Sequence, residues 1–249
     1  MNLSQLLQQT LVEMDDAIVE LGKIIPPPRA VPFAEGFVFR HTEKLPQQAI
    51  LQKLSRIPSS IRAAQLLCDH GYFQDQAALQ RIIDELGEDA LFLAVALMFG
   101  PLEDIHSEFL ETFFAEEFDP KTGKPLPEQR PMVPRKKIRA YIARSKIGTA
   151  DPSGHVAVGR TLSKAYSGFV HAASPHIMDT YGGDPPRFHT AGMLGTVREF
   201  EYGDDIVNYY YRGLTSFGIS SKALGNEHLF HHLYEFTQIY HHFGIGNAP

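Results

Sequence analysis

The side chains best suited to chemistry lie between residues 160 and 192. Arg160, Lys164, Ser167 and His171 are spaced by four, three and four residues, which places them on one face of a helix. A loop rich in glycine and proline follows this predicted helix. It adds further groups that bind anions or transfer protons: His176, Asp179, Asp184, Arg187 and His189.

This combination of side chains is typical of a site that binds or cleaves phosphate esters. A histidine can transfer protons, and a nearby lysine or arginine can stabilise charge that develops on a phosphate. The candidate catalytic residues are Lys164, Ser167, His171, Arg187 and His189. The alternative is a solvated helix face, on which a serine or a backbone carbonyl holds the histidine.

The segment Tyr166-Ser167-Gly168-Phe169-Val170-His171 resembles the Tyr-Ser-x-x-x-His segment of HEPN-like (higher-eukaryote and prokaryote nucleotide-binding) helical domains. The resemblance covers residues 155–181. It implies a helical bundle that often dimerises and, in active members from bacterial toxins and phage-defence systems, metal-independent RNA cleavage. In the active members, four to six residues separate an arginine from a following histidine. Ten residues separate Arg160 from His171, so His171 alone carries over to the motif.

Basic residues are concentrated just before this segment. Residues 121–164 hold 11 of the 23 lysines and arginines, although the whole chain has a net charge of −6. Such a block can bind phosphates, an acidic partner, or the acidic residues 1–120 of the same chain. The candidate nucleic-acid-binding residues are Arg135, Lys136, Lys137, Arg139, Arg144, Lys146 and Arg160.

The predicted C-terminal helix is rich in histidine. His228 and His232 have the i, i+4 spacing that lets two imidazoles bind one metal ion, and Glu235 follows on the same helix. These three residues are candidate ligands for zinc or another divalent metal, although the sequence does not identify the remaining ligands. The alternative is a polar helix face or a subunit contact.

Several enzyme classes lack their sequence signatures here. The chain has no P-loop, no Gly-x-Gly-x-x-Gly and no Gly-x-Ser-x-Gly. Glu103 and His106 form a single Glu-x-x-His pair, whereas a di-iron bundle needs two such pairs. The sequence therefore argues against an ATPase, a dinucleotide enzyme, an ordinary α/β hydrolase and a di-iron protein, and no cofactor other than a divalent metal is indicated.

Helical periodicity dominates the chain, and no strand pattern is convincing, so we expect an all-α, multi-helix bundle. Irregular loops are expected at about 26–45, 119–134 and 182–196. Residues 1–249 are expected to form one domain, with the proline-rich loop 119–134 as the place where it would divide. Helices are predicted at 3–22, 46–70 (split near Pro58), 74–86 and 88–99 (broken at Gly87), 101–118, 135–146, 155–181 (broken at Pro175), 204–223 and 226–243 (ended by Gly244).

The bulk properties indicate a cytoplasmic protein. The first residues do not form a secretory signal, and the longest apolar run, 90–99, is too short to span a membrane. The single cysteine, Cys68, excludes an internal disulfide.

The leading hypothesis is a HEPN-like bacterial protein that binds RNA or nucleotides, with metal-independent RNA cleavage in a defence or toxin system as its catalytic form. It is expected to be a homodimer, with its first and last helices available for subunit contacts. One alternative is a non-enzymatic helical protein that docks an acidic partner through the basic block. A second alternative is a metal-dependent hydrolase that uses the C-terminal histidines.

Overall fold

The structure, a computed structural model, describes residues 2–127, 132–145 and 166–245. Helices dominate these residues, which confirms the predicted all-α fold. The helices are α1 (Leu3–Gly22), α2 (Pro46–Asp69), α3 (Phe73–Phe99), α4 (Asp104–Phe113), α5 (Arg135–Arg144), α6 (Ser174–Met178), α7 (Val197–Tyr202), α8 (Asp205–Ala223) and α9 (Glu227–Tyr240). Residues 166–170 are also helical, and His241–Ile245 form a π-helical turn.

Two small antiparallel ladders lie in regions that were expected to be irregular. Strands β1 (Arg29–Phe33) and β2 (Gly36–Arg40) form a hairpin in which Val31 lies opposite Val38. Strands β3 (Tyr181–Gly182) and β4 (Arg187–Phe188) pair over two residues only. Both ladders lie outside the helical core.

The predicted breaks at Pro58 and Gly87 are wrong, because α2 and α3 are each continuous. Pro58 removes one backbone hydrogen bond, but the helix continues since the flanking Ile57 and Ile61 are fully buried in the core. At Gly87, an added Cβ would lie 2.8 Å from the Ser216 hydroxyl. This glycine therefore allows α3 and α8 to approach closely and does not end a helix.

Several helix ends also differ from the prediction. Helix α4 begins at Asp104 and ends at Phe113, inside the predicted range 101–118. The predicted helix 155–181, where it is described, is interrupted at 171–173, before Pro175, and Ala172 there has a φ of 49°. Helix α9 starts at the predicted cap, Asn226, whose side chain accepts a hydrogen bond from the Leu229 N–H at 3.1 Å, but ends at Tyr240.

The core forms where α2, α3 and α8 meet. Helices α2 and α3 make a hairpin through residues 70–72, and α8 packs against both. Helices α1 and α9 also pack on α8, α1 contacts α2 as well, and α5 packs on α3. The centre of the core is fully buried and consists of Met14, Ile50, Leu54, Ile57, Ile61, Phe92, Leu93, Leu214 and Phe217.

Within the described ranges, no helix is both long enough and apolar enough to cross a membrane.

The contact between α8 and its neighbours depends on a glycine. A Cβ added at Gly213 would lie 2.9 Å from the Met14 Cε and 3.0 Å from methyl groups of both Ile57 and Ile61. All three neighbours are fully buried, so they have little room to move.

We therefore expect Gly213→Val to lower the free energy of unfolding by about 1–3 kcal/mol, since it overpacks the junction of α1, α2 and α8. Chemical denaturation measures this change. The control is Gly22→Ala, at the end of α1, where an added Cβ meets nothing within 4 Å and the stability should be nearly unchanged. Equal stability of Gly213→Val and the wild type would contradict the tight packing of α8.

Candidate functional site

The Tyr-Ser…His segment (residues 166–171) docks onto the bundle through its aromatic side chains. The ring centroids of Tyr166 and Tyr209 are 6.2 Å apart, with perpendicular planes, and Phe169 lies 6.2 Å from Tyr202. Because Tyr209 is almost fully buried, Tyr166 extends the aromatic core. The aromatic residues of this segment are therefore structural.

Ser167 and His171 lie at the outer part of the same segment. The His171 backbone N–H donates to the Ser167 carbonyl at 3.0 Å, which closes the last helical turn. The His171 side chain is exposed, and Ser167 is half-buried. In the described ranges, no hydrogen bond joins their side chains, so the serine does not hold the imidazole. The other two residues of the predicted stripe, Arg160 and Lys164, lie outside the described residues.

Gly168 is required by a neighbouring histidine. An added Cβ at Gly168 would lie within 3 Å of three atoms of the His176 ring, which packs on Phe169 with a centroid separation of 4.3 Å. The Gln74 side chain also bonds to the His176 carbonyl, which ties α6 to α3. His176 therefore has a packing role.

Arg187 and His189 lie in the β3–β4 region. Arg187 is exposed opposite Gly182, and the His189 Nε2 is 3.2 Å from the Gly182 carbonyl. Among the residues that the structure describes, no hydrogen bond or ion pair connects either of them to Ser167 or His171. The described members of the predicted catalytic set, Ser167, His171, Arg187 and His189, are thus spread along one region and are not assembled around one atom.

The basic helix α5 is divided between an inner and an outer side. Arg139 pairs with Glu88 at 2.5 Å, and Arg135 bonds to Asp89. Both carboxylates belong to α3, so these arginines neutralise acidic residues of their own chain. This is the third of the three alternatives that the charge distribution left open.

The outer side of α5 keeps its charges in solvent. Lys136, Lys137 and Arg144 are exposed. The Arg144 Nε donates to the Ala140 carbonyl at 2.9 Å, within the same helix. Of the predicted phosphate-binding residues, these three remain accessible, and Lys146 lies outside the described ranges.

Asp84 of α3, which lies near Arg139 of α5, has a strongly raised pKa. It pairs with Arg212 of α8 at 2.7 Å, and its side chain is 20% exposed. Burial raises the pKa of Asp84 to about 6; the positive charge of Arg212 opposes this shift, and the charge of Glu88 adds to it. Burial likewise raises the pKa of Tyr209, and the Asp84 charge and Tyr166 contribute to the same shift. Perturbed titratable groups often mark functional sites, although ion networks also produce them.

The C-terminal histidines are spread along the exposed side of α9. His228, His232 and Glu235 are all exposed, and the His232 Nε2 lies 2.6 Å from the Glu13 Oε2 of α1. No group of three or more His, Cys, Asp or Glu side chains in the described part of the chain is arranged to hold a metal ion. The contact that the structure shows for His232 is therefore a link between the first and last helices.

A cavity of about 740 Å³ lies where α2, α3, α4 and α5 meet. Its polar end contains Lys53, Asp89 and Arg135, and its walls include Phe109 and Phe113. Lys53 and Asp89 are not among the residues predicted from the sequence. The acidic residues Asp84, Glu85, Glu88 and Asp89 just before the apolar run 90–99 were the available signal, because charges beside a buried run need partners. Lys53 gave no comparable signal.

The pKa of Asp84 leads to a prediction about stability. A folded-state pKa of about 6, against an ordinary value of 3.8, means that the folded protein binds this proton more tightly than the unfolded chain does. The contribution of Asp84 to stability is therefore largest below about pH 4 and is lost as the pH rises through 6. We expect Asp84→Asn to raise the free energy of unfolding by about 1–3 kcal/mol at pH 8, and by much less at pH 4.5.

Denaturation at the two pH values measures this difference, and the exposed Asp16→Asn serves as the control with the same change of charge. If Asp84→Asn were less stable than the wild type at pH 8, the ion pair with Arg212 would outweigh the cost of burying the carboxylate.

Comparison with known proteins adds no relative to this geometry: no family model matches the chain, and neither does any curated protein or solved structure. The resemblance to HEPN-like domains rests on the Tyr-Ser…His segment itself.

Proposed function

We propose that the protein binds RNA or nucleotides on the surface formed by α5 and the Tyr-Ser…His segment. The observation that carries the proposal is the position of Asp84 between the two. Its carboxylate is close enough to Arg139 of α5, and to Tyr166, for charge interactions with both. Arg139 of the basic helix and Tyr166, the first residue of the Tyr-Ser…His segment, therefore both lie near Asp84 of α3.

The outer charges of α5 support this proposal. Arg135 and Arg139 are used inside the protein, so a phosphate backbone would meet Lys136, Lys137 and Arg144, which are exposed. Contacts of lysine and arginine with phosphates supply most of the sequence-independent affinity of nucleic-acid-binding proteins. Binding of this kind needs no preformed pocket.

His171 gives the surface a group that can transfer protons. It is exposed at the end of its helical turn, while Tyr166 anchors the same turn in the core. His171 is the residue that the resemblance to HEPN-like domains carries over, although the arginine of their catalytic signature is absent at the family spacing. The exposed charges of α5 support RNA binding, whereas RNA cleavage would also require His171.

Binding is tested with a labelled pool of single-stranded RNA of mixed sequence, titrated at several salt concentrations. We expect the affinity to fall steeply with salt, because bound phosphates release counterions. The double variant Lys136→Ala/Lys137→Ala should bind about tenfold more weakly, and its slope of log K against log salt should be smaller by about 1.4. The control, Lys23→Ala/Lys222→Ala, removes the same charge from exposed positions on other helices and should bind like the wild type.

Absence of RNA binding, or an equal loss of affinity in the two double variants, would rule out this surface as the RNA-binding site.

Cleavage is tested with the same RNA in the presence of EDTA, for the wild type and for His171→Ala. Loss of EDTA-resistant cleavage in the variant, with binding retained, would identify a metal-independent nuclease that depends on His171. Intact RNA with both proteins would leave RNA binding as the function. His171 is exposed, so its replacement should not disturb folding.

A further inference from the structure

The cavity between α2, α3, α4 and α5 lies on the inner side of α5, away from the proposed RNA surface. Arg135 and Ile138 face the cavity, whereas Lys136 and Lys137 are exposed. Its volume of about 740 Å³ is within the range of about 300–1,000 Å³ that is usual for small-molecule sites. The two sites therefore share a helix but not its side chains.

The polar end of the cavity has two cations on one buried carboxylate. The Asp89 carboxylate is 1% exposed, and the Lys53 Nζ lies 2.8 Å from its Oδ2. Arg135 donates hydrogen bonds to both oxygens of the same carboxylate. An ammonium group has three N–H donors, so Lys53 can bind a second anion without leaving Asp89.

The neighbouring carboxylates do not cancel this excess of positive charge. Arg135 lies 3.6 Å from both Glu85 and Glu88. Glu88 is already paired with Arg139 at 2.5 Å, and Glu85 with Arg81 at 3.1 Å. At the cavity, the two cations Lys53 and Arg135 therefore meet one buried carboxylate, Asp89.

The remaining walls are mainly apolar. Lys53 lies over the Phe113 ring, 4.7 Å from its centroid, and Phe109, Val133 and Ile138 continue the lining. At the mouth, Glu116 is held by Arg40 through two hydrogen bonds of 2.6 and 3.0 Å, which offsets its charge. The second glutamate of the lining, Glu117, is exposed, so water screens its charge.

We propose that this cavity binds a small organic anion: a carboxylate or phosphate monoester attached to an aromatic or aliphatic body. The anionic group would bind Lys53 and Arg135 beside Asp89, and the apolar body would pack against Phe109 and Phe113. Charge-assisted hydrogen bonds in a partly buried site favour an anion over a neutral or cationic ligand of the same shape.

Four naphthalene compounds test the charge preference directly, because they share one apolar body. They are 1-naphthoate, 1-naphthyl phosphate, the neutral 1-naphthalenemethanol and the cationic 1-naphthylmethylammonium. Isothermal titration calorimetry on the full chain should give one site, with at least one anion binding about tenfold or more tightly than the neutral compound, and the cation binding most weakly. The two anions separate a carboxylate site from a phosphate site.

Substitutions at Lys53 and Met132 locate the binding. Lys53→Met keeps the length of the side chain and leaves Arg135 on Asp89; it should remove the preference for the anion. The control, Lys23→Met, lies at the exposed end of α1 and should change nothing. Met132 lines the cavity but is 67% exposed, so its replacement should not impair folding. Met132→Lys should strengthen anion binding, and Met132→Glu should weaken it.

Equal affinity for the neutral and charged compounds, or absence of binding to all four, would overturn the proposal. So would an anion preference that survives both Lys53→Met and Met132→Glu. The RNA affinity of Lys53→Met should remain that of the wild type, so failure of this site and failure of the RNA surface can be told apart.

Discussion

The burial of Asp89 is the constraint on which the arrangement around α3 depends. A carboxylate that is 1% exposed must be paired, because an isolated buried charge costs several kcal/mol. The partners come from two other helices, Lys53 of α2 and Arg135 of α5. Each cation therefore fixes the position of its helix relative to α3. Removal of either partner would leave the buried carboxylate with a single cation, which is more damaging than the loss of an exposed pair.

The same constraint gives the basic block two different roles. Its inner arginines, Arg135 and Arg139, join α5 to the acidic residues Asp89 and Glu88 of α3. Its outer lysines are left to interact with solvent or with a ligand. The basic helix is thus divided into an outer layer of exposed charges and an inner, neutralised interface. Affinity for polyanions at this surface would rest on few contacts, so it would depend on salt less steeply than the affinity of an extended basic surface.

Much of the fold could be predicted from local pattern, because apolar residues at helical spacing report directly on which face is buried. The bounds of α1 agree with the prediction at both ends. The predicted breaks in α2 and α3 are wrong because the low intrinsic helix preference of Pro58 and Gly87 does not decide the structure at these positions. In the structure, burial of Ile57 and Ile61 keeps α2 continuous at Pro58, and the close approach of Ser216 explains the glycine at position 87 of α3. Such tertiary effects depend on which helices meet, and one sequence does not show this.

The two candidate sites also differ in how far the sequence predicts them. His171 and the outer lysines were found from the sequence because each lies in a local pattern. The cavity was not found, since Lys53 and Arg135 are 82 residues apart and are brought together only by the buried Asp89.

The contact between Glu13 and His232 joins residues 219 positions apart and brings the first helix against the last. Leu233 and Tyr240 of α9 are fully buried, and Tyr240 donates a hydrogen bond to the Val207 carbonyl at 2.7 Å. The helical bundle therefore cannot complete its folding while α9 is still inside the ribosome. Until then, apolar side chains of α1 and α8 stay uncovered on the nascent chain, where they are available to chaperones and to unwanted association.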